Sequence, residues 1–130
     1  TIIQGETGCG KSSRLPLMLL EAYGSEAQIF VSQPRRIAAR ALKTRLAASK
    51  DIPQGTIGLL MGHGIKEESS NSQVWFCTAG YLKRLASHNP RRLSRLTHLV
   101  IDEVHERSAD SDLLCYFAKH LLKKYRHLKL

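Results

Sequence analysis

One stretch near the start of the chain, GETGCGKSS at residues 5–13, constrains the fold more than any other. Glycine loses more conformational freedom on folding than any other residue, so three glycines in six positions indicate a backbone that needs them. The stretch matches G-x-x-x-x-G-K-[ST] at Gly5, Gly10, Lys11 and Ser12. An apolar segment precedes it and an amphipathic helix is predicted after it, which is the context that a phosphate-binding loop requires.

The chemistry of such a loop assigns expected roles to its residues. The glycines let backbone N–H groups approach a phosphate chain, and the following helix adds the positive end of its dipole. Lys11 is expected to reach the β- and γ-phosphate oxygens, and the Ser12 hydroxyl to bind Mg²⁺. The candidate nucleotide-binding residues are consecutive: Gly5, Glu6, Thr7, Gly8, Cys9, Gly10, Lys11, Ser12 and Ser13. A chance glycine-rich turn is the alternative, and the strand–loop–helix context argues against it.

Beyond this loop, apolar segments alternate with helical ones. The predicted strands are residues 27–33, 56–60, 73–78 and 97–102, and the predicted helices are residues 13–23, 35–49, 80–86 and 111–125. Residues 1–4 are expected to end a buried strand, residues 62–72 to form a loop or hairpin, and residues 127–130 to begin another strand. This alternation predicts an α/β fold whose central, mostly parallel sheet is covered by helices on both faces.

A pair of acids, Asp102 and Glu103, follows the last predicted strand. In α/β folds, ligands bind at the carboxyl ends of strands, where Asp102 could hold Mg²⁺ together with Ser12. Glu103 is the candidate to orient and deprotonate an attacking water. The alternative is that both acids only cap a following helix.

The charge predicts a polyanionic partner. Lys and Arg number 20 against 11 acids, giving a net charge of +9, although solubility alone is the alternative explanation. Arg35 and Arg36 are predicted at a helix N-terminus, where cations oppose the helix dipole unless an anion binds there. The basic segments 89–96 and 123–127 are interpreted as solvated surface, and Trp75 as a core residue.

Four segments, in order, resemble motifs of DEAH-box helicases of superfamily two: GETGCGKS (5–12), SQPRRIAA (32–39), CTAGYLKRL (77–85) and DEVHERS (102–108). The likeness covers almost the whole chain. The sequence departs from the family pattern at Cys9, Ala79 and Val104, where Ser, an acid and Ala are usual. The segment 58–68 also departs from it, and no role is assigned there.

The resemblance implies a RecA-like P-loop NTPase domain, a three-layer α/β/α sandwich over residues 1–130 and an excerpt of a larger chain. It implies that this is the first of two such domains in an ATP-dependent RNA helicase. The pair would use ATP and Mg²⁺ to bind single-stranded RNA and unwind duplexes. Arg35, Arg36, Thr78 and Gly80 would line the nucleic-acid track, and His105 would couple it to the nucleotide site. Lys11, Glu103 and His105 are thus the candidate catalytic residues.

Two alternatives stay open: a nucleotide-gated RNA clamp without catalysis, and a DNA-directed P-loop motor. The presence of all the motif residues argues against the clamp, but no residue distinguishes RNA from DNA. Because the second domain would supply an arginine finger, residues 1–130 alone are expected to be nearly inactive. No apolar run approaches the ~20 residues that span a membrane, so no membrane partner is expected. Three widely spaced cysteines favour an intracellular location.

Overall fold

The computed structural model describes residues 1–6 and 9–130. Within them lie five strands and five α-helices. Their bounds in chain order are α1 Lys11–Tyr23, β1 Ile29–Gln33, α2 Arg36–Ala47, β2 Ile57–Leu60, β3 Lys66–Glu67, β4 Val74–Thr78, α3 Ala79–His88, α4 Pro90–Leu93, β5 His98–Ile101 and α5 Ala109–Lys124. Short 3₁₀ turns at Gly24–Glu26 and Val104–Glu106 complete the regular structure of these residues.

The strands form one sheet in the order β3-β2-β4-β1-β5. β2, β4, β1 and β5 run parallel to their neighbours, and the two-residue β3 is antiparallel to β2. Parallel strands need crossover connections. α2 connects β1 to β2, and α3 and α4 connect β4 to β5. The predicted mostly parallel sheet is confirmed, and the predicted loop or hairpin at 62–72 contains β3, which forms a hairpin with the preceding β2.

Alternate residues of each strand pack into two separate cores. Ile29 and Val31 of β1 face a core that α1 and α2 cover, whereas Phe30 between them faces a core covered by α3, α4 and α5. All three side chains are fully buried. Burial of such a side chain is worth about 1.5–3 kcal/mol, so each face of the sheet stabilises the fold. The three-layer arrangement is therefore as predicted.

The expectation that residues 1–4 end a buried strand is wrong in this structure. Ile2 is 97% exposed, and these residues join no strand. The free side of β5 is instead occupied by the segment around Lys129, whose backbone exchanges hydrogen bonds of 2.9 Å with Thr97 and Leu99. Lys129 forms a parallel bridge to His98, so the strand-like segment expected at 127–130 is confirmed.

One short helix was not predicted. Residues 89–96 read as a polar, basic segment, but α4 occupies Pro90–Leu93 with Pro90 in its first turn. Proline suits that position because its fixed φ matches the helix and its missing N–H would be unpaired there anyway. Leu93 and Leu96 enter the core, which anchors this basic segment to the sheet.

Candidate active site and nucleic-acid interface

The candidate residues of three motifs meet at one edge of the sheet. Gln33 at the end of β1 lies in register with Thr78 at the end of β4. On the other side of β1, the backbone N–H of Asp102 donates to the Ser32 carbonyl over 3.1 Å. The strands' carboxyl ends therefore bring the segments 32–36, 78–80 and 102–105 side by side.

α1 begins near the same edge of the sheet. It ends at Gly24, whose N–H bonds to the Leu20 carbonyl, shortly before β1 starts at the opposite edge. α1 packs on the sheet through Leu17 and Leu20, so its first residues lie toward the strands' carboxyl ends. Among the described residues, no hydrogen bond joins the glycine-rich loop to Asp102 or Glu103.

Lys11 turns back onto the loop that precedes it. Its Nζ donates hydrogen bonds of 2.6 Å to the carbonyls of Gly5 and Glu6, and lies 3.6 Å from the Cys9 Sγ. A Cβ on Gly5 would lie only 3.1 Å from that sulfur. The ammonium group is thus held by backbone oxygens that an anionic group could replace.

The other loop residues have local partners. Gly10 has φ +84°, a left-handed conformation that glycine adopts without steric cost. The Ser13 hydroxyl donates to the Gly10 carbonyl over 3.2 Å, so it braces the loop's own backbone. Ser12 is half-buried in the first turn of α1. The candidates Thr7 and Gly8 lie outside the described residues.

The two acids after β5 have different partners, as their sequence positions suggest. Asp102 accepts a 2.5 Å hydrogen bond from the Gln33 side-chain amide at Oδ2 and the Glu103 N–H at Oδ1 over 2.9 Å. Glu103 has φ 52°, which is uncommon for a residue with a side chain. Its carboxylate lies 3.2 Å from Nε2 of His105. Glu103 precedes the 3₁₀ turn Val104–Glu106 without a side-chain cap hydrogen bond, and α5 is capped by Ser108, so the two acids do not simply cap a helix.

The candidate nucleic-acid residues are accessible. Arg35 precedes α2 in an extended conformation, and Arg36 opens the helix without an acid in its first turn. Arg35 forms a 3.2 Å ion pair with Glu106, in which the side chains are 74% and 30% exposed. Thr78 also caps α3, because its Oγ1 accepts the Tyr81 N–H over 3.4 Å. A Cβ on Gly80 would lie 3.4 Å from an Asp110 carboxylate oxygen.

A family model described as DEAD/DEAH box helicase matches residues 1–129. The chain belongs to this family. Within it, the chain is 36% identical to the DExH-box ATP-dependent RNA helicase DExH1 of Arabidopsis thaliana and 37% identical to DExH3 of the same plant, each over 99% of the chain. The crystal structure of the Escherichia coli DEAH/RHA helicase HrpB superimposes on 98% of the chain with a TM-score of 0.87 and 34% identity.

This helicase-family chain spans only a small part of those proteins: 13% of DExH1, 11% of DExH3 and 16% of the HrpB chain. The likeness to HrpB confirms the RecA-like architecture that the motif resemblance implied. Within the part of the chain that the structure describes, no helix is long and apolar enough to cross a membrane.

Two residues that contact the candidate site residues were given no site role from the sequence. Gln33 received no site role, yet its buried side chain donates a hydrogen bond to Asp102. A polar residue at the last position of an apolar strand could have signalled this. Glu106, which pairs with Arg35, received no role although it lies in the DEVHE segment itself. The bond to Gln33 links the second and last motifs directly.

The oxygen atoms of the candidate site also suit Mg²⁺, which prefers hydroxyl, water and carboxylate oxygens as ligands. Each Asp102 oxygen accepts one hydrogen bond and so keeps a lone pair for a cation. Among residues 1–6 and 9–130, no group of three His, Cys, Asp or Glu side chains is placed to enclose a metal. Where Mg²⁺ also binds substrate phosphates, one or two carboxylates are the usual protein ligands.

Proposed function

We propose that this chain is the ATP-binding, first RecA-like domain of an ATP-dependent RNA helicase. The observation that carries the proposal is the meeting of segments 32–36, 78–80 and 102–105 at the strand ends, beside the start of α1. One edge then offers a phosphate-binding loop, an acid pair and exposed arginines. The relatives' names, which specify ATP and RNA, support the same assignment.

The triphosphate would bind between the loop and the start of α1. Its β- and γ-oxygens would replace the Gly5 and Glu6 carbonyls as acceptors for Lys11 Nζ. Free N–H groups at the helix N-terminus and the helix dipole would add to the attraction. Residues 5–13 together form the proposed nucleotide site.

Mg²⁺ would be held by the Ser12 hydroxyl and by Asp102, directly or through water. The ion supplies charge neutralisation at the phosphate oxygens when bound. Gln33 and the Glu103 N–H keep the Asp102 carboxylate fixed, so its geometry does not depend on the ion.

Glu103 would act as general base. In hydrolysis, a water oxygen attacks the γ-phosphorus, the bond to the leaving ADP oxygen breaks, and a Glu103 oxygen accepts a water proton. His105 lies against this carboxylate and is proposed to transmit its position to the nucleic-acid track. Lys11, Glu103 and His105 are the proposed catalytic residues.

The exposed Arg35 and Arg36, with Thr78 and Gly80, would bind the backbone of single-stranded RNA. The relatives' length leaves room for a second RecA-like domain, which we include in the proposal as the partner that completes the site and enables unwinding. Phosphate contacts of this kind are independent of base sequence.

The test is binding of a fluorescent ATP analogue with Mg²⁺ to the chain and to Lys11→Ala, with Lys119→Ala as a control that removes an exposed lysine from α5. Lys11→Ala should abolish binding at an unchanged melting temperature, and the control should bind normally. Equal affinity of all three would contradict the nucleotide site. Matched RNA and DNA strands then decide the substrate, since stronger DNA binding would favour the DNA-directed motor.

A further inference from the structure

A row of residues that includes three exposed arginines continues from the proposed RNA site along α3 and α4. This helix starts at the carboxyl ends of the strands, and its ten residues carry it about 15 Å toward the opposite edge. Gly80, Arg84 and His88 are spaced four apart and so follow one face of the helix. α4 begins two residues after His88 and adds the exposed Arg91, with Arg95 shortly beyond it.

These arginines are available for a ligand. In the part of the chain that the structure describes, Arg84, Arg91 and Arg95 form no ion pair, and all three are exposed. The nearby Asp110 at the start of the row is paired with Lys83 over 3.1 Å. The three arginines therefore give the row a net positive charge from Arg84 to Arg95.

The row ends in a cleft of about 480 Å³ whose lining includes Asn89, Arg91, Arg95 and Trp75. Glu68 is its acidic lining residue, and Arg92 and Lys66 pair with it. Although burial alone would raise the pKa of Glu68, hydrogen bonds from Arg92 and Lys66 lower it, so the carboxylate stays ionised and compensated.

Arg92 and Trp75 are held by contacts with other residues of the protein, and this limits what the cleft can bind. The Arg92 guanidinium lies 5.5 Å and 5.4 Å from the ring centres of Phe30 and Trp75. Trp75 is 6% exposed and donates to Glu68 over 2.8 Å, so it offers no face on which a base could stack. The free guanidinium groups of Arg91 and Arg95 are suited to bind phosphates. Such contacts do not depend on the identity of the bases.

We propose that single-stranded RNA bound at Thr78 and Gly80 continues along α3, and that Arg91 and Arg95 hold its phosphates at the cleft. This inference rests on the proposed function, because it extends the same RNA path. At about 3.4 Å per nucleotide in a stacked strand, the ~15 Å length of α3 corresponds to four or five further nucleotides.

The experiment compares oligouridylates of about 5 and about 15 nucleotides, lengths chosen from this span. Fluorescence anisotropy at several salt concentrations gives the slope of log affinity against log salt for the chain, for Arg91→Ala/Arg95→Ala and for Arg91→Lys/Arg95→Lys. The matched control is Arg45→Ala/Lys50→Ala, which also removes two exposed cations. Arg45 lies in the last turn of α2, and Lys50 follows that helix.

For the long oligomer, the alanine pair should flatten the slope by about 1.4, since each single-strand phosphate contact contributes about 0.7. With the short oligomer, the alanine pair should give the slope of the unmodified chain. With both oligomers, the lysine pair and the control should also give the slopes of the unmodified chain. Unchanged long-oligomer binding by a folded alanine pair would overturn the inference. If Arg35→Ala/Arg36→Ala still weakened both oligomers, the proposed function would survive that result.

Two other outcomes would also overturn the inference. If polyglutamate of equal charge competed for the long oligomer's extra contacts as well as oligouridylate does, the cleft would be a site for acidic polypeptides. If neither oligomer bound the folded chain at all, the proposed RNA function and the inference would fail together.

Discussion

The side-chain amide of Gln33 donates a 2.5 Å hydrogen bond to Oδ2 of Asp102, joining the ends of β1 and β5. Gln33 is 2% exposed, so water does not compete for this bond. Asp102 Oδ1 accepts the Glu103 N–H at the same time. The orientation of the proposed metal-binding carboxylate is therefore set from the motif that also carries Arg35 and Arg36.

Gln33→Leu should weaken Mg²⁺-dependent nucleotide hydrolysis by about 10- to 100-fold, the usual effect of losing a group that orients a metal ligand. Leucine has a similar size but cannot donate to Asp102. A Mg²⁺ titration of ATP hydrolysis in the protein that carries this chain measures the effect. Gln54→Leu, in an exposed loop, is the control. An unchanged Mg²⁺ dependence would show that Asp102 needs no such support.

Glu103→Gln should reduce hydrolysis by about 10²- to 10⁴-fold while nucleotide binding persists. The amide keeps the shape of the side chain but cannot accept a proton from water. Single-turnover hydrolysis and analogue binding separate the two effects, with Glu21→Gln on the exposed side of α1 as the control. Wild-type turnover in the variant would remove Glu103 from the mechanism.

Glu106→Gln should strengthen RNA binding, because it releases Arg35 from its 3.2 Å ion pair. A new phosphate contact should steepen the salt dependence by about 0.7. Asp112→Asn is the matched control, since it releases Arg107 from a comparably exposed pair at 3.0 Å. If both variants behaved alike, the gain would reflect net charge and not Arg35.

Gly58→Ala should destabilise the fold by about 1–3 kcal/mol through overpacking. A Cβ at this position would lie 2.5 Å from Cδ1 and 2.9 Å from Nε1 of Trp75. That ring is fixed by Glu68 and Phe30. Gly62→Ala is the control, because among the described residues nothing lies within 4 Å of its Cβ position. Equal urea midpoints for the two variants would mean that the Trp75 ring can move.

His98 should make stability fall as the pH drops below about 6.5. Burial, and then the charge of Lys129, lower its pKa in the folded state. The unfolded chain therefore binds the proton first, and the stability present above pH 6.5 declines until the folded-state pKa is passed. Urea unfolding at about pH 7.5 and about pH 5 should show this loss, and His98→Gln should reduce it. The exposed His120→Gln is the control, and an identical loss in both variants would exclude His98 as the cause.

The sequence by itself determined the alternation of strands and helices, because hydrophobic periodicity and glycine or proline breaks are local signals. It also identified the candidate phosphate-binding loop and the acid pair, since both depend on short spacings. The strand predicted at residues 1–4 is absent from the structure, because strand formation depends on lateral partners that a short apolar segment cannot specify.

Only the tertiary structure decided which distant residues meet. The strand order β3-β2-β4-β1-β5 places Gln33 beside Asp102, and Arg35 opposite Glu106, although about 70 residues separate each pair in the chain. It also divides the arginines of residues 89–96 into Arg92, locked between Glu68 and two aromatic rings, and the exposed Arg91 and Arg95. Local spacing cannot make that division, because burial and ion pairing depend on side chains that the folded sheet brings from elsewhere in the sequence.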